Sequence, residues 1–196
     1  MVKKHYEEVR GIGGNSTVFV DPRDLLQSLP LLPGSVFLDV GCGRGDHALA
    51  AASIVQPEGH VYAIDLWEDG IKTLRSNAQE LEYKNLSAFI GNAAENIPVP
   101  DAEVDIVFMG VVLHDLVEAG MHHSVLSEIS RVIKPTGTLA ILEWKKNAEI
   151  PPGPPREIRL NPQDVINIVR SFDFIEQETS EWGQLHYSMT FTRSRS

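Results

Sequence analysis

One pattern constrains this chain more than any other: short apolar, β-branched runs alternate with stretches of helical spacing. The runs fall at residues 35–40, 60–65, 86–90, 104–109 and 138–144. A run without polar alternation is a strand covered on both faces, and strands joined through helices build a parallel sheet. After the second run, Ile71, Leu74, Ala78 and Leu81 recur three and four apart, with Lys72, Arg75, Gln79 and Glu80 toward water. That spacing predicts an amphipathic helix packed on the sheet. A later helix is expected to bury Val125, Leu126, Ile129, Val132 and Ile133. Lys134-Pro135-Thr136-Gly137 should stop it, since proline lacks the amide a helix needs. Asn161, Pro162 and Asp164 supply a cap, a first-turn proline and a dipole-matched acid for a helix reaching Ser171.

The C-terminal stretch differs in kind. Residues 174–182 and 185–192 are β-rich and separated by Gly183-Gln184, a hairpin pattern. Tyr187, Met189 and Phe191 then share one face, and Ser188, Thr190 and Thr192 the other. The Pro-Pro-Gly-Pro-Pro segment at 151–155 cannot join a ladder and reads as a covering loop. The expected fold class is α/β: a Rossmann-like, doubly wound, seven-stranded sheet, mostly parallel, with a C-terminal antiparallel hairpin. One domain is expected over 1–196, with 1–24 a lid or flexible segment, 25–192 the core and 193–196 a frayed tail.

Composition narrows the partners. Acidic residues outnumber basic ones 27 to 17, a net charge of −10, which repels nucleic acid and anionic lipid. The single cysteine permits no intramolecular disulfide, and the first residues lack the apolar stretch of a signal peptide, so a cytoplasmic setting is expected. The longest apolar run, 104–113, is broken by Asp105 and is far shorter than the roughly 20 residues of a membrane span. Nothing in the sequence fixes the oligomeric state.

The chemistry concentrates at residues 38–45, Leu-Asp-Val-Gly-Cys-Gly-Arg-Gly, where a strand runs into a glycine-dense turn and a helix. Alternate glycines permit positive φ and let a ligand lie against bare backbone. Asp65 ends the next strand, where an acid can accept hydrogen bonds from both ribose hydroxyls. Together these describe a nucleoside site. A dinucleotide fingerprint would place its third glycine at position 46, but Asp46 stands there, and its carboxylate would repel a pyrophosphate at the helix start. Asp39, near the strand end, can bind the α-ammonium of an amino acid. A cationic nucleoside carrying an amino acid fits both features.

These segments resemble the class I S-adenosylmethionine-dependent methyltransferases, from about Leu25 to the C-terminus. The resemblance rests on residues 38–45, 61–65, 91–98 (Gly-Asn-Ala-Ala-Glu-Asn-Ile-Pro), 104–116 and 131–137. Within the class the chain is similar to the ubiquinone and menaquinone biosynthesis branch. The resemblance implies that Gly41, Cys42, Gly43 and Gly45 pass under the methionine part and that Asp65 holds the ribose. It places Leu66 and Trp67 against the adenine. Asn92 takes the slot where most relatives have an aspartate for the adenine amino group, with Ala93 and Ala94 at the ring edge and Gly110 and Val111 at the methionine end. It implies S-adenosylmethionine as cofactor, S-adenosylhomocysteine as product and a small-molecule methyl acceptor.

Methyl transfer from a sulfonium is an in-line displacement that needs alignment and desolvation more than a metal. His114, just beyond the fourth strand, is the candidate base, against the alternative that it packs at a helix start. Asp115 reads as a helix cap. His47 either looks into the site or faces solvent, and Glu143 and Trp144 either approach the acceptor or support its surroundings. His186 and Tyr187 lie on a strand, so only one of them can point inward. No metal site is expected from His114, Asp115, His122 and His123, whose spacing matches no compact ligand motif. Cys42 reads as a small turn residue rather than a nucleophile. The competing functions are a nucleotide (NAD(P))-dependent reductase, disfavoured by Asp46, and a non-catalytic S-adenosylmethionine-binding protein.

Overall fold

The computed structural model describes residues 20–148 and 153–194. The chain runs α1 (Pro22–Gln27), β1 (Val36–Val40), α2 (Asp46–Val55), β2 (His60–Asp65), α3 (Glu68–Glu80), β3 (Leu86–Ile90) and β4 (Val104–Gly110). It continues through α4 (Leu113–Glu118), α5 (His122–Val132), β5 (Ile133–Trp144), α6 (Pro162–Arg170), β6 (Phe174–Trp182) and β7 (His186–Arg193). The strands form one seven-stranded sheet in the order β3-β2-β1-β4-β5-β7-β6. All pairs from β3 to β5 are parallel, and β7 is antiparallel to both its neighbours.

Strand alternation splits the core into two layers. Phe37, Val61, Ala63, Ile106 and Phe108 point to the face covered by α1, α2 and α3, which bury Leu25, Ala48, Ala52 and Leu74. Leu38, Ile64, Val107, Ile141 and Met189 point to the other face, covered by Leu113, Leu126, Ile129 and Val165 of α4, α5 and α6. Strand order reverses between β1 and β4, so a crevice opens at their carboxyl ends, where open α/β sheets bind ligands. Among the described residues no helix is long and apolar enough to cross a membrane.

Four details depart from the sequence reading, each for a local reason. Leu81 is 53% exposed rather than in the core stripe: α3 ends at Glu80, and Glu82 takes a left-handed φ of 56° that turns the chain away. Ile133 leaves the helix, and residues 134–137 belong to β5. A register shift opposite Val104–Ile106 accommodates Pro135, and Lys134 Nζ pairs with Asp105 Oδ1 at 2.7 Å. The expected boundary at 24/25 falls inside α1, whose start is fixed by Asp21 accepting from the amides of Arg23 and Asp24, with Pro22 in the first turn. Finally, Arg193 is still in β7 and the Ser194 amide donates to Asp173, so the strand outlasts the expected tail boundary. The rest of the expected N-terminal lid, residues 1–19, lies outside the described residues, as do 149–152 of the covering loop and 195–196 of the tail.

Candidate active site

The turn after β1 holds three left-handed glycines, with φ of 72° at Gly41, 56° at Gly43 and 79° at Gly45. They serve different ends. A Cβ at Gly41 would stand 2.7 Å from Val112 Cγ2, and one at Gly45 would run into Leu74, whereas nothing lies within 4 Å of the Gly43 position. Gly41 and Gly45 seat the turn between Val112 and α3, and Gly43 leaves open backbone toward the crevice. Half-buried Cys42 sits between them, its Sγ 3.9 Å from the Gly43 carbonyl, as a small turn residue.

Two carboxylates stand beneath this turn. Asp65, 3% exposed, accepts from the Gly43 amide at 2.7 Å through Oδ2 and from the Trp67 amide at 2.8 Å through Oδ1. The loop and the start of α3 thus clamp the carboxylate at the sheet edge, and a carboxylate can accept more than two hydrogen bonds. Asp39, 2% exposed, lies deeper. The Ala48 amide donates to it, but its Oδ2 meets no partner among the described residues. Burial first, then the charges of Asp65 and Asp46, push its pKa up to about 8. A cationic group is what this carboxylate lacks. A cradle that a Cβ would fill and an orphaned buried acid are together the fit an amino-acid-bearing cationic nucleoside needs.

His47 is buried, its ring 4.7 Å from that of Phe108, which excludes the solvent-facing alternative. Burial holds its pKa down to about 4, against the pull of Asp46, so the imidazole is neutral at pH 7. Gly110 is needed beside it, because a Cβ there would lie 2.8 Å from Phe108 Cε1. Leu66, Trp67, Ala93, Ala94 and Val111 are half-buried. Asn92 is more committed than the sequence reading supposed: its Oδ1 accepts from the Ala94 amide and its Nδ2 donates to Glu95, both at 3.0 Å. Val111 holds φ at 50°, a costly setting for a β-branched residue that its neighbours enforce, with its amide donating to the Leu142 carbonyl at 2.7 Å. Nothing in the sequence signals that strain.

His114 and Glu143 meet on the opposite face of the sheet. The His114 Nδ1 lies 2.7 Å from Glu143 Oε2, and the His114 amide donates to Oε1 at 3.1 Å. One fully buried carboxylate therefore holds both the ring and the backbone of the same residue. Since a carboxylate only accepts, Nδ1 carries the proton and Nε2 is the basic nitrogen. Burial pulls the His114 pKa down, but the charges of Glu143, Asp115 and Glu118 and the hydrogen bond that His114 donates to Glu143 outweigh it, leaving it above the ordinary histidine value. Asp115 is not the helix cap: α4 is capped by Val112 with no side-chain bond, and Asp115 Oδ1 sits 3.4 Å from His114 Nε2. His186 and Tyr187 are both buried, on opposite faces. His186 lies against Trp144 at 4.1 Å between ring centres, and the Tyr187 hydroxyl donates to the Leu160 carbonyl at 2.8 Å.

A family model for a methyltransferase domain matches residues 31–192. The chain belongs to the methyltransferase-domain family. The demethylmenaquinone methyltransferase of Geobacillus sp. (strain WCH70) is 30% identical over 142 residues, 72% of this chain and 59% of that protein. That of Listeria welshimeri is 33% identical over 121 residues, 62% of this chain and 50% of its own. The matched part thus spans about half to three fifths of these curated relatives. A solved SAM-dependent methyltransferase from Aquifex aeolicus superposes with a TM-score of 0.81 at 28% identity, covering 96% of this chain and 97% of that one. By family and fold the chain is a class I methyltransferase.

Proposed function

We propose that this methyltransferase moves a methyl group from S-adenosylmethionine to a small-molecule acceptor, with His114 receiving the acceptor's proton. The observation that carries the reading is the pair of buried acids below the glycine turn: Asp65 clamped by two amides, Asp39 with an unpartnered oxygen. Asp65 then takes the ribose hydroxyls and Asp39 the methionyl ammonium, while Asp46 at the start of α2 disfavours a pyrophosphate. When bound, S-adenosylmethionine supplies an electrophilic methyl whose old bond pair stays on sulfur as the acceptor's electron pair forms the new bond.

The protein's own part is placement and proton handling. Neutral His47 adds no positive charge near a cationic donor. His114 Nε2 takes the proton that the acceptor loses, and Glu143 at 2.7 Å stabilises the imidazolium that results. The quinone methyltransferase names of the relatives support an organic acceptor rather than a macromolecule. Calorimetric titration with S-adenosylmethionine, S-adenosylhomocysteine and NADH tests the donor assignment. We expect binding of the first two and none of NADH; preference for NADH would overturn it.

A further inference from the structure

Beside His114 lies an open cavity of about 530 Å³, whose lining includes no residue of the glycine turn. That size falls within the range for small-molecule ligands. His114 and Val117 of α4 form one wall, Ile158 to Leu160 another, and Ile168 of α6 the third. Val117, Ile158, Leu160 and Ile168 give the cavity its apolar surface, shared with charged side chains that include Asp164, Glu118 and Glu157, and His114 is its one imidazole.

The other notable group is Arg159. It is 5% exposed, yet no carboxylate lies within ion-pair distance of it among the described residues. Its guanidinium donates only to main-chain carbonyls, from Nε to Pro154 at 2.9 Å and from Nη1 to Lys145 and Ala148 at 3.3 Å. Its Cζ stands 5.7 Å from the Trp144 ring centre. Buried charges in proteins are paired, because a lone ion away from water is costly. The carbonyls supply dipoles but no countercharge. The other cation of the cavity, Lys146, is exposed and sits 3.7 Å from Asp164. Glu118 and Glu157 are exposed on the rim, where water screens them. A single negative group on a ligand would meet Arg159 unscreened, whereas several would meet the rim acids.

We infer that this cavity is the methyl-acceptor pocket and that it selects a small, largely apolar monoanion, with its anionic group at Arg159 and its reacting atom at His114. The word acceptor rests on the methyl-transfer reading; the preference for a monoanion does not.

The test uses matched probes, 4-phenylbutyrate and its neutral amide, titrated into the full-length protein saturated with S-adenosylhomocysteine. Isoleucine methyl groups are labelled for NMR. We expect the carboxylate to bind at least tenfold tighter than the amide and to shift the Ile158 and Ile168 methyls. In Arg159→Met the gap should close to under twofold, with affinity for S-adenosylhomocysteine unchanged. Because Arg159 also ties down the 153–160 segment, Arg159→Lys serves as a second variant that retains the charge and should keep most of the gap. Equal binding of the two probes to the wild type, shifts confined to other isoleucines, or a full gap in Arg159→Met would each overturn the inference. Failure of S-adenosylhomocysteine to bind at all would instead overturn the donor assignment.

Discussion

The two faces of the sheet edge differ in how they are made. On the α2 side, Asp39, Gly41, Gly43, Gly45 and His47 come from nine consecutive positions, joined by Asp65 from the neighbouring strand. On the α4 side, His114, Glu143 and Arg159 come from a helix start, a strand end and a loop, and meet only because the chain folds. The first is a backbone device that spares side chains and gathers acids. The second is a side-chain device that holds one imidazole and one guanidinium. A motif survives in sequence when neighbours in the chain build it, and is invisible when tertiary structure does.

The sharpest way to break this comparison is at the glycines. Gly45→Ala puts a Cβ at left-handed φ into Leu74, and we expect a loss of about 2–4 kcal/mol in urea unfolding. Gly43→Ala, with open space around it, should cost about 1 kcal/mol. Equal costs would mean that packing against α3 is not what fixes the turn. Next in size, Asp65→Ala should weaken S-adenosylmethionine binding by about 1.5–3 kcal/mol, read by calorimetry, through loss of charged hydrogen bonds.

On the other face, Glu143→Gln should lower turnover roughly 10- to 100-fold, a fraction of what a positioned base contributes. The sign of its pH effect follows from His114. Glu143 helps raise the imidazole's pKa, so in the wild type the active, neutral base appears only as pH rises through that raised value. Removing the charge should move the inflection of the rate profile to lower pH, while leaving affinity for S-adenosylhomocysteine intact. An unmoved inflection would return His114 to a packing role.

The effect at Asp39 is read as a melting temperature. Its native pKa of about 8 lies above the unfolded value of 3.8, so the donor-free fold binds the extra proton and loses stability as pH rises between those values. Asp39→Asn should therefore raise the melting temperature of the donor-free protein at pH 8 while weakening S-adenosylmethionine binding. A lower melting temperature would show that the acid stabilises the empty site.

The same contrast explains what was legible in advance. Strand positions, sheet class, the hairpin register at Tyr187, Met189 and Phe191, and the α6 cap at Asn161 follow from spacing and local hydrogen-bond chemistry. Spacing alone does not place Leu81 and residues 133–137, because their environment is set elsewhere: a left-handed Glu82 ends α3, and pairing with Val104 draws Ile133 into the sheet. The cap at Asp21 was a readable signal that the segment boundary at 24/25 passed over. The Glu143 contact with His114 spans 29 positions, and the lack of a countercharge for Arg159 among the described residues emerges only once the fold has buried it.

The division of labour between the faces is tested most directly by titrating S-adenosylhomocysteine into the wild type, Asp65→Ala and His114→Ala in parallel. Asp65→Ala should lose at least tenfold in affinity while His114→Ala binds as the wild type does. Equal losses in the two variants, or none in either, would contradict it.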